Sequence, residues 1–268
     1  MTAMKNEQVE YNEQVENMVD IQQYVEIAGL KWARQNLAVT ESGRGAWTDA
    51  SGSPVLVPGT GVEAMVGDYF QWGAHEGCCA TGDGGDGGLL AYESFDDRFT
   101  FRKYPGGTEC KFGCTHPADR LGVSPYYDRI HSRYLKYEPL CRTTLETIDD
   151  VASIILGGGW RMPTTDEFRA MYDATSWTWL GQDRGCYVTW RGEELNEDRS
   201  NALLFFPATG YGFNSGLYSS GTIGSYWSSS LCMESPTNSF FLYSGRSMVN
   251  PQSAGRRFVG RPVRPVHD

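Results

Sequence analysis

The sequence has no apolar stretch long enough to cross a membrane as a helix, and residues 1–20 lack the apolar region of a signal peptide. We therefore expect a soluble chain that either is not exported by that route or has already lost its leader. Basic residues are few, since 23 Lys and Arg against 33 Asp and Glu give a formal net charge of −10. Phosphate binding needs a broad basic surface, so nucleic acid is not expected as a partner.

The sequence also lacks the motifs of common enzymes. It has no nucleophile elbow, and its four histidines lie in no recognisable catalytic motif: His75, His116, His131 and His267. We expect no catalytic residues, no metal site and no cofactor. Seven cysteines cannot all pair within one chain, so the cysteine content leaves the redox compartment open.

An irregular insertion is predicted at about residues 75–125, with TGDGGDGG near its centre. Three interpretations of its cysteines remain open: a disulfide, free thiols, or a tetrahedral zinc site that includes histidine. The residues concerned are His75, Cys78, Cys79, Cys110, Cys114 and His116. Asp83 and Asp86 lack the spacing of an EF-hand, and ESPTN at 234–238 has calcium ligands at the wrong spacing, so calcium is not expected.

Helix and strand signals predict the α+β class for residues 24–268. The first helix is predicted at about 145–156, before three glycines, and the second begins at Thr164, which forms a capping box with Glu167. Alternating apolar residues and Gly/Ser turns predict a mostly antiparallel sheet in a single domain. The predicted strands are 24–34, 66–74, 186–191, 202–208, 225–230, 239–244 and 257–266.

Residues 1–23 are predicted to be a polar leader or linker. They contain NEQVE twice and carry a thin apolar stripe, which leaves open a short helix through which copies of the chain could form an oligomer.

Seven segments resemble one known family in their order along the chain: VEIAGLKWARQNL, GDYFQWG, DDVASIILGGGWRMPTTDEFRAMYD, LFFPATGY, GSYWSSSL, FFLYSG and GRPVRPV. They are similar to the Fibrobacter succinogenes major paralogous domain, common in Bacteroidetes surface proteins, over about residues 24–74 and 145–268. That family is similar to the C-type lectin fold, whose first and last strands lie side by side. The resemblance implies that 24–34 pairs with 257–266. It places Val263 and Val266 in the core and has Arg264 held by a carboxylate.

A further similarity concerns residues 230–261. Some proteins of the C-type lectin-like fold are diversified by retroelements, which change scattered residues near the C-terminus while the frame stays fixed. Here unusual residues alternate with family-like ones: Cys232, Met233, Arg246, Arg256, Val259 and Arg261. The resemblance implies a variable display surface whose ligand-binding residues are Met233, Ser235, Thr237, Phe241, Tyr243, Arg246, Ser247, Gln252, Arg256, Phe258, Val259 and Arg261.

The composition of this segment supports binding, because aromatic and arginine side chains dominate binding hot spots. One continuous exposed face is expected to hold Phe241, Tyr243, Arg246, Arg256, Phe258 and Arg261. The alternation at 256–266 predicts a strand with one face in the core and one in solvent. Trp160, Tyr226 and Trp227 are expected to fill the core instead.

These observations predict a non-enzymatic ligand-binding display protein of the receptor-binding or adhesin type, encoded by a phage or a bacterium. Its ligand is expected to be a protein or glycan on a cell surface, and its location a cell surface, a virion or the extracellular space. A fimbrial or lipoprotein adhesin with a fixed ligand is one alternative. The other is an oxidase resembling formylglycine-generating enzymes, with Cys186 and Cys232 as the candidates for the reactive cysteine pair.

Overall fold

The computed structural model describes residues 24–73, 77–81, 89–91, 143–147, 149–213, 216–232, 234–235, 238–257 and 259–268. The predicted leader at 1–23 lies outside these residues. Most candidate ligands of the predicted insertion also lie outside the described residues: His75, Asp83, Asp86, Cys110, Cys114 and His116. Cys78 and Cys79 belong to a described strand, Gly77–Thr81.

Two helices and fifteen strands occur in the described residues. The helices are α1 (Val151–Leu156) and α2 (Thr165–Ala174). The strands are β1 (Tyr24–Ile27), β2 (Leu30–Ala33), β3 (Tyr69–Phe70), β4 (Gly77–Thr81), β5 (Leu89–Ala91), β6 (Trp160–Arg161), β7 (Thr175–Leu180), β8 (Gly185–Trp190), β9 (Leu204–Pro207), β10 (Tyr211–Phe213), β11 (Gly216–Tyr218), β12 (Ile223–Leu231), β13 (Asn238–Gly245), β14 (Val249–Arg256) and β15 (Val266–His267).

The strands form four sheets, in which every described pair is antiparallel. Their strand orders are β1-β2-β15-β6, β12-β13-β14, β7-β8-β9 and β10-β11-β5-β4-β3. The predicted α+β class, with mostly antiparallel strands and two helices, is confirmed within the described residues. Neither described helix is long and apolar enough to cross a membrane.

Helix α1 begins later than predicted, because Asp150 is its N-cap. The Asp150 Oδ1 atom accepts from the Ser153 backbone N–H at 3.0 Å, and Oδ2 accepts from the Met162 N–H at 2.8 Å. Burial raises the pKa of this carboxyl although the backbone N–H groups lower it. The helix ends at Gly157, whose φ of 60° favours glycine. The predicted end is therefore confirmed, and the predicted start at about residue 145 is wrong.

Helix α2 begins as its sequence predicts. The Thr164 side chain accepts from the Glu167 N–H, and the Glu167 side chain accepts from the Thr164 N–H, so the capping box is confirmed. Glu167 also binds Arg161 through two hydrogen bonds of 2.9 and 2.7 Å. These contacts fix the helix to β6 at the strand's last residue.

Strand β12 separates two hydrophobic cores. Successive residues of a strand point to opposite faces, so Trp227 and Tyr226 enter different cores. Trp227 packs with Phe70, Trp72 and α1, while Tyr226 packs with α2 and the β7-β8-β9 sheet. Both side chains are fully buried and Trp160 is nearly so, which confirms the structural role predicted for all three.

The last strand lies beside the first hairpin of the sheet, as predicted. Val266 pairs with Trp32 on one side and with Arg161 on the other, and Val263 and Val266 are both fully buried. The predicted length of this strand is wrong, since only residues 266–267 form it. Pro262 and Pro265 have no N–H to donate, so the preceding residues cannot continue a regular ladder.

Residues 259–266 do not divide between core and solvent, because every one of them is buried. Arg264 is structural, as expected, but the predicted carboxylate partner is wrong. Its guanidinium donates instead to four neutral oxygens: Asn36 Oδ1 and the carbonyls of Ala33, Arg34 and Phe205. It also lies over the Phe206 ring, 4.6 Å from the ring centroid.

Candidate ligand-binding surface

The candidate surface is carried by the hairpin of β13 and β14, which is the outer part of the β12-β13-β14 sheet. Aromatic residues in β13 favour a strand, and Phe241 pairs with Trp227 of β12. The register of β14 shifts between Phe241 and Tyr243, beside Pro251. Proline is tolerated at such a bulge because it has no N–H to donate. The hairpin is anchored by β12 on one side. On the other side β14 contacts α2, where Thr165 Oγ1 donates to the Pro251 carbonyl and Arg169 Nη1 donates to Gln252 Oε1, both at 3.3 Å.

Four of the predicted binding residues are exposed on this hairpin: Arg246, Ser247, Gln252 and Arg256. Arg246 and Ser247 lie in the turn after β13, and Arg256 pairs with Asn238 at the other end of that strand. A strand of eight residues rises about 3.3 Å per residue, so the two arginines lie roughly 25 Å apart. The exposed residues therefore follow the length of the hairpin instead of forming one cluster.

Arg261 and Val259 are not part of an exposed face, and their predicted role in display is wrong. Their exposed fractions are 6% and 7%. The Arg261 backbone forms two 3.0 Å hydrogen bonds with Phe70, which draws this segment between β3 and β12. The guanidinium then lies 4.2 Å from the Trp227 ring centroid and 4.0 Å from that of Phe241.

Arg261 carries a charge inside the protein without an ion pair among the described residues. Its Nε donates to Ser225 Oγ at 2.7 Å, and its Nη1 has no hydrogen-bond partner in the described part of the chain. Burial lowers the pKa of Arg261 to about 9, so the group is still protonated at neutral pH. The faces of the two aromatic rings therefore add favourable electrostatic contact to the hydrogen bond with Ser225.

The remaining predicted binding residues are half-buried on β13, lie in the turn before it, or fall outside the described residues. Phe241 is half-buried and packs towards the core that contains Trp227, and Tyr243 is also half-buried, so the single continuous face is wrong. Ser235 lies in the turn before β13, where its N–H donates to the Cys232 carbonyl at 3.1 Å. Met233, Thr237 and Phe258 lie outside the described residues. The unusual residue Cys232 is buried.

A groove of about 400 Å³ lies next to the turn of the hairpin, and the sequence did not suggest it. Its wall is formed by α2 and the β7-β8 hairpin, and its rim by the turn. We call this cavity the groove. It is lined by Tyr172, Thr175, Ser176, Trp177, Trp179, Cys186, Arg191, Gly245, Arg246, Ser247, Met248 and Val249. Alternation in TSWTWL at 175–180 is the signal that could have placed two tryptophans on one strand face.

The two cysteines considered for oxidase chemistry are both buried. Burial raises the pKa of the Cys186 thiol to about 12, although a hydrogen bond with Ser244 acts in the opposite direction. A thiol in such surroundings stays protonated at neutral pH and is a poor nucleophile. No group of three or more His, Cys, Asp or Glu that could hold a metal ion is found among the described residues.

Comparisons with protein-family models, with curated proteins and with solved structures find no match to this chain. The resemblance and the functions that it implies therefore stay predictions.

Proposed function

We propose that this protein is a non-enzymatic binding protein whose scaffold is C-type lectin-like and whose ligand contacts the β13-β14 hairpin. The observation that carries the proposal is the division of side chains along this hairpin. Arg246, Ser247, Gln252 and Arg256 are exposed, whereas Leu242 of β13 and Pro251 of β14 are buried. Exposed positions can change without loss of the fold, while the buried ones hold the strands in place.

The scaffold supports the same proposal. Strand β15 lies between β2 and β6, so residues far apart in sequence close one sheet. The hairpin belongs to a different sheet and is held through β12, which lies between two cores. A rigid frame of this kind limits the entropy lost when an exposed surface binds its ligand.

The proposed ligand is a protein or glycan on a cell surface, and the protein is proposed to act outside the cell or on a virion. Retroelement diversification remains part of the proposal, but for a smaller set of positions. Val259 and Arg261 are buried, so we exclude them from the variable surface. Related gene copies should then differ at the exposed codons 246, 247, 252 and 256 and stay constant at codons 259 and 261, whereas a fixed-ligand adhesin should keep all of these codons constant.

The binding experiment uses arrays of defined peptides and glycans and the labelled full chain. The variant R246S/Q252S/R256S should bind its array ligands at least tenfold more weakly, because hot-spot residues each contribute about 2 kcal/mol. The matched control K31S/R44S removes the same number of positive charges outside the hairpin and should bind as the parent does. Equal losses in both variants would contradict the proposal.

The oxidase alternative has a separate test. The variant C186S/C232S should keep the array binding of the parent protein, and neither protein should oxidise a cysteine-containing peptide in the presence of copper and oxygen. Copper-dependent oxidation by the parent protein that is lost in the variant would establish the enzyme and reject the proposed function.

A further inference from the structure

The groove beside the hairpin turn is rich in aromatic side chains that the packing fixes in place. Trp177 packs against Phe206, with ring centroids 5.0 Å apart, and its Nε1 donates to Thr175 Oγ1 at 3.0 Å. Trp179 packs against two hydrophobic cores. Both tryptophans are half-buried, so each presents part of its surface to the groove. Binding against such side chains requires little loss of rotamer freedom.

The charge of the groove is opposite to that of the chain. Arg191 and Arg246 both line it, and its twelve residues include no aspartate or glutamate, although the whole chain has a formal net charge of −10. Arg191 Nη1 donates to the Thr175 carbonyl at 3.2 Å. The Arg246 guanidinium is exposed and has no hydrogen bond or ion pair with any described residue. The groove therefore offers donors to an anionic group.

An exposed apolar side chain lies at the rim of the same groove. Met248 is 52% exposed, although the neighbouring Gly245 N–H donates to its carbonyl and fixes the turn. Methionine, tryptophan, tyrosine and arginine are the residues enriched where proteins bind other polypeptides. This combination indicates a ligand that has both an apolar side chain and a negative charge.

We propose that the groove binds an acidic peptide segment, in which a carboxylate contacts Arg191 and Arg246 while a neighbouring apolar side chain packs on Met248 and the two tryptophans. This inference rests on the proposed function, since Arg246 and Ser247 belong to both surfaces. A guanidinium has five N–H donors and no acceptor, so a carboxylate complements it through paired hydrogen bonds.

Glycan and nucleic acid fit the groove less well. Sugar hydroxyls donate as well as accept, but the lining has no carboxylate or carboxamide side chain to accept from them. Its hydroxyl groups are those of Tyr172, Thr175, Ser176 and Ser247, and two of them already accept a hydrogen bond: Thr175 from Trp177 Nε1 and Ser176 from the Gly192 N–H. Two arginines are also too few to hold a nucleic-acid backbone against the negative charge of the whole chain.

The test uses the full chain on an array of randomised octapeptides, together with an array of oligogalacturonate, hyaluronan and heparin fragments. Bound peptides should be enriched in Asp or Glu next to Leu, Met or an aromatic residue. The variant R191S/R246S should bind these peptides more than tenfold more weakly, and M248S should bind them severalfold more weakly with the same acidic preference. Binding should also weaken as salt rises from about 50 to about 300 mM.

Two variants serve as controls, and a thermal melt of each protein shows that it is folded. K31S/R44S should retain the affinity for acidic peptides within about twofold, and Q252S/R256S, which changes only the far part of the hairpin, should weaken it less than R191S/R246S does. Peptide binding that is lost in Q252S/R256S but kept in R191S/R246S would overturn the groove assignment and leave the proposed function standing. A preference for acidic oligosaccharides over every peptide would overturn it equally. No binding on either array would overturn the groove assignment, while the proposed function would still be decided by its own test on the wider peptide and glycan arrays.

Discussion

Arginine and tryptophan occur together both in the segment that follows β14 and in the groove, and these two regions have opposite exposure. In the segment that follows β14, Arg261 lies over Trp227 and is almost completely buried. In the groove, Arg246 is exposed at the rim and Trp177 is only half-buried. The residue types are the same, and both arginines belong to the segment expected to form one surface.

The difference between the regions comes from the backbone. The Arg261 backbone forms two hydrogen bonds with the buried residue Phe70, so the Arg261 side chain extends from a backbone that is itself inside the protein. Arg246 lies in a turn that is closed by the hydrogen bond from the Gly245 N–H to the Met248 carbonyl. Composition alone therefore does not distinguish an arginine that binds a ligand from one that fills a core. The path of the chain distinguishes them.

The largest expected effect comes from exchanging the two tryptophans for alanine. W227A should lower the free energy of unfolding by about 3–5 kcal/mol, because it removes a fully buried indole and the ring under Arg261. W177A should lower it by only about 1–2 kcal/mol, since that side chain is half-buried. Urea unfolding of both variants measures the difference. Equal losses would contradict the contrast between the regions.

The second test compares two buried arginines that have different partners. R264M should destabilise the protein by at least about 3 kcal/mol, because four oxygen acceptors lose their donor. R261M should change stability by less than about 1 kcal/mol, because a methionine can pack on the two rings and one hydroxyl loses its partner. Thermal melts of both variants measure this difference. A larger fall in melting temperature for R261M than for R264M would contradict this account.

The third test uses an arginine that has a carboxylate partner. Burial alone would raise the pKa of Glu167, but hydrogen bonds from Arg161 and the Thr164 N–H outweigh it and lower the pKa below the usual 4.5. The interaction therefore stabilises the protein fully above pH 4.5, and this contribution is lost as the pH falls through the folded pKa.

E167Q should cost about 1 kcal/mol or less at pH 7 and progressively less as the pH falls below 4.5. Urea midpoints of parent and variant between pH 3 and pH 7 measure this convergence. A gap that stays constant over the whole range would show that the carboxylate charge is not responsible.

The smallest expected effect on stability is that of the exposed arginines. R246S and R256S should each change the free energy of unfolding by less than about 0.5 kcal/mol, since neither guanidinium is buried. Differential scanning calorimetry would sharpen the comparison with R264M. A loss above 2 kcal/mol in either variant would place that arginine among the structural ones.

Local signals in the sequence predicted the parts of the fold that local interactions decide. The capping box at Thr164 and Glu167 depends on residues three positions apart, and the stop at Gly157 depends on one backbone conformation. The pairing of the two ends of the domain was predicted only through the resemblance. The expectation that Tyr226 and Trp227 fill the core was also correct, since both faces of β12 are covered.

The candidate site was predicted only in part, because exposure depends on contacts that are distant in sequence. Arg246, Ser247, Gln252 and Arg256 are exposed as expected, whereas Arg261 is buried by Phe70, from a strand far earlier in the chain. The groove was missed because it joins β7 to the turn of β13 and β14. No local pattern relates Trp177 to Met248, although both line the same cavity.

The contacts of Arg264 have a consequence for the kinetics of folding. This side chain joins Asn36 across 228 positions of the chain, and β15 then enters the sheet between β2 and β6. Contacts so distant in sequence form only after a large loop has closed, which makes folding slow. We expect the sheet that contains β15 to form last, with refolding over milliseconds to seconds as followed by stopped-flow tryptophan fluorescence. Until that step, Trp32 and Trp160 lack their last neighbouring strand, and the intermediate is exposed to aggregation.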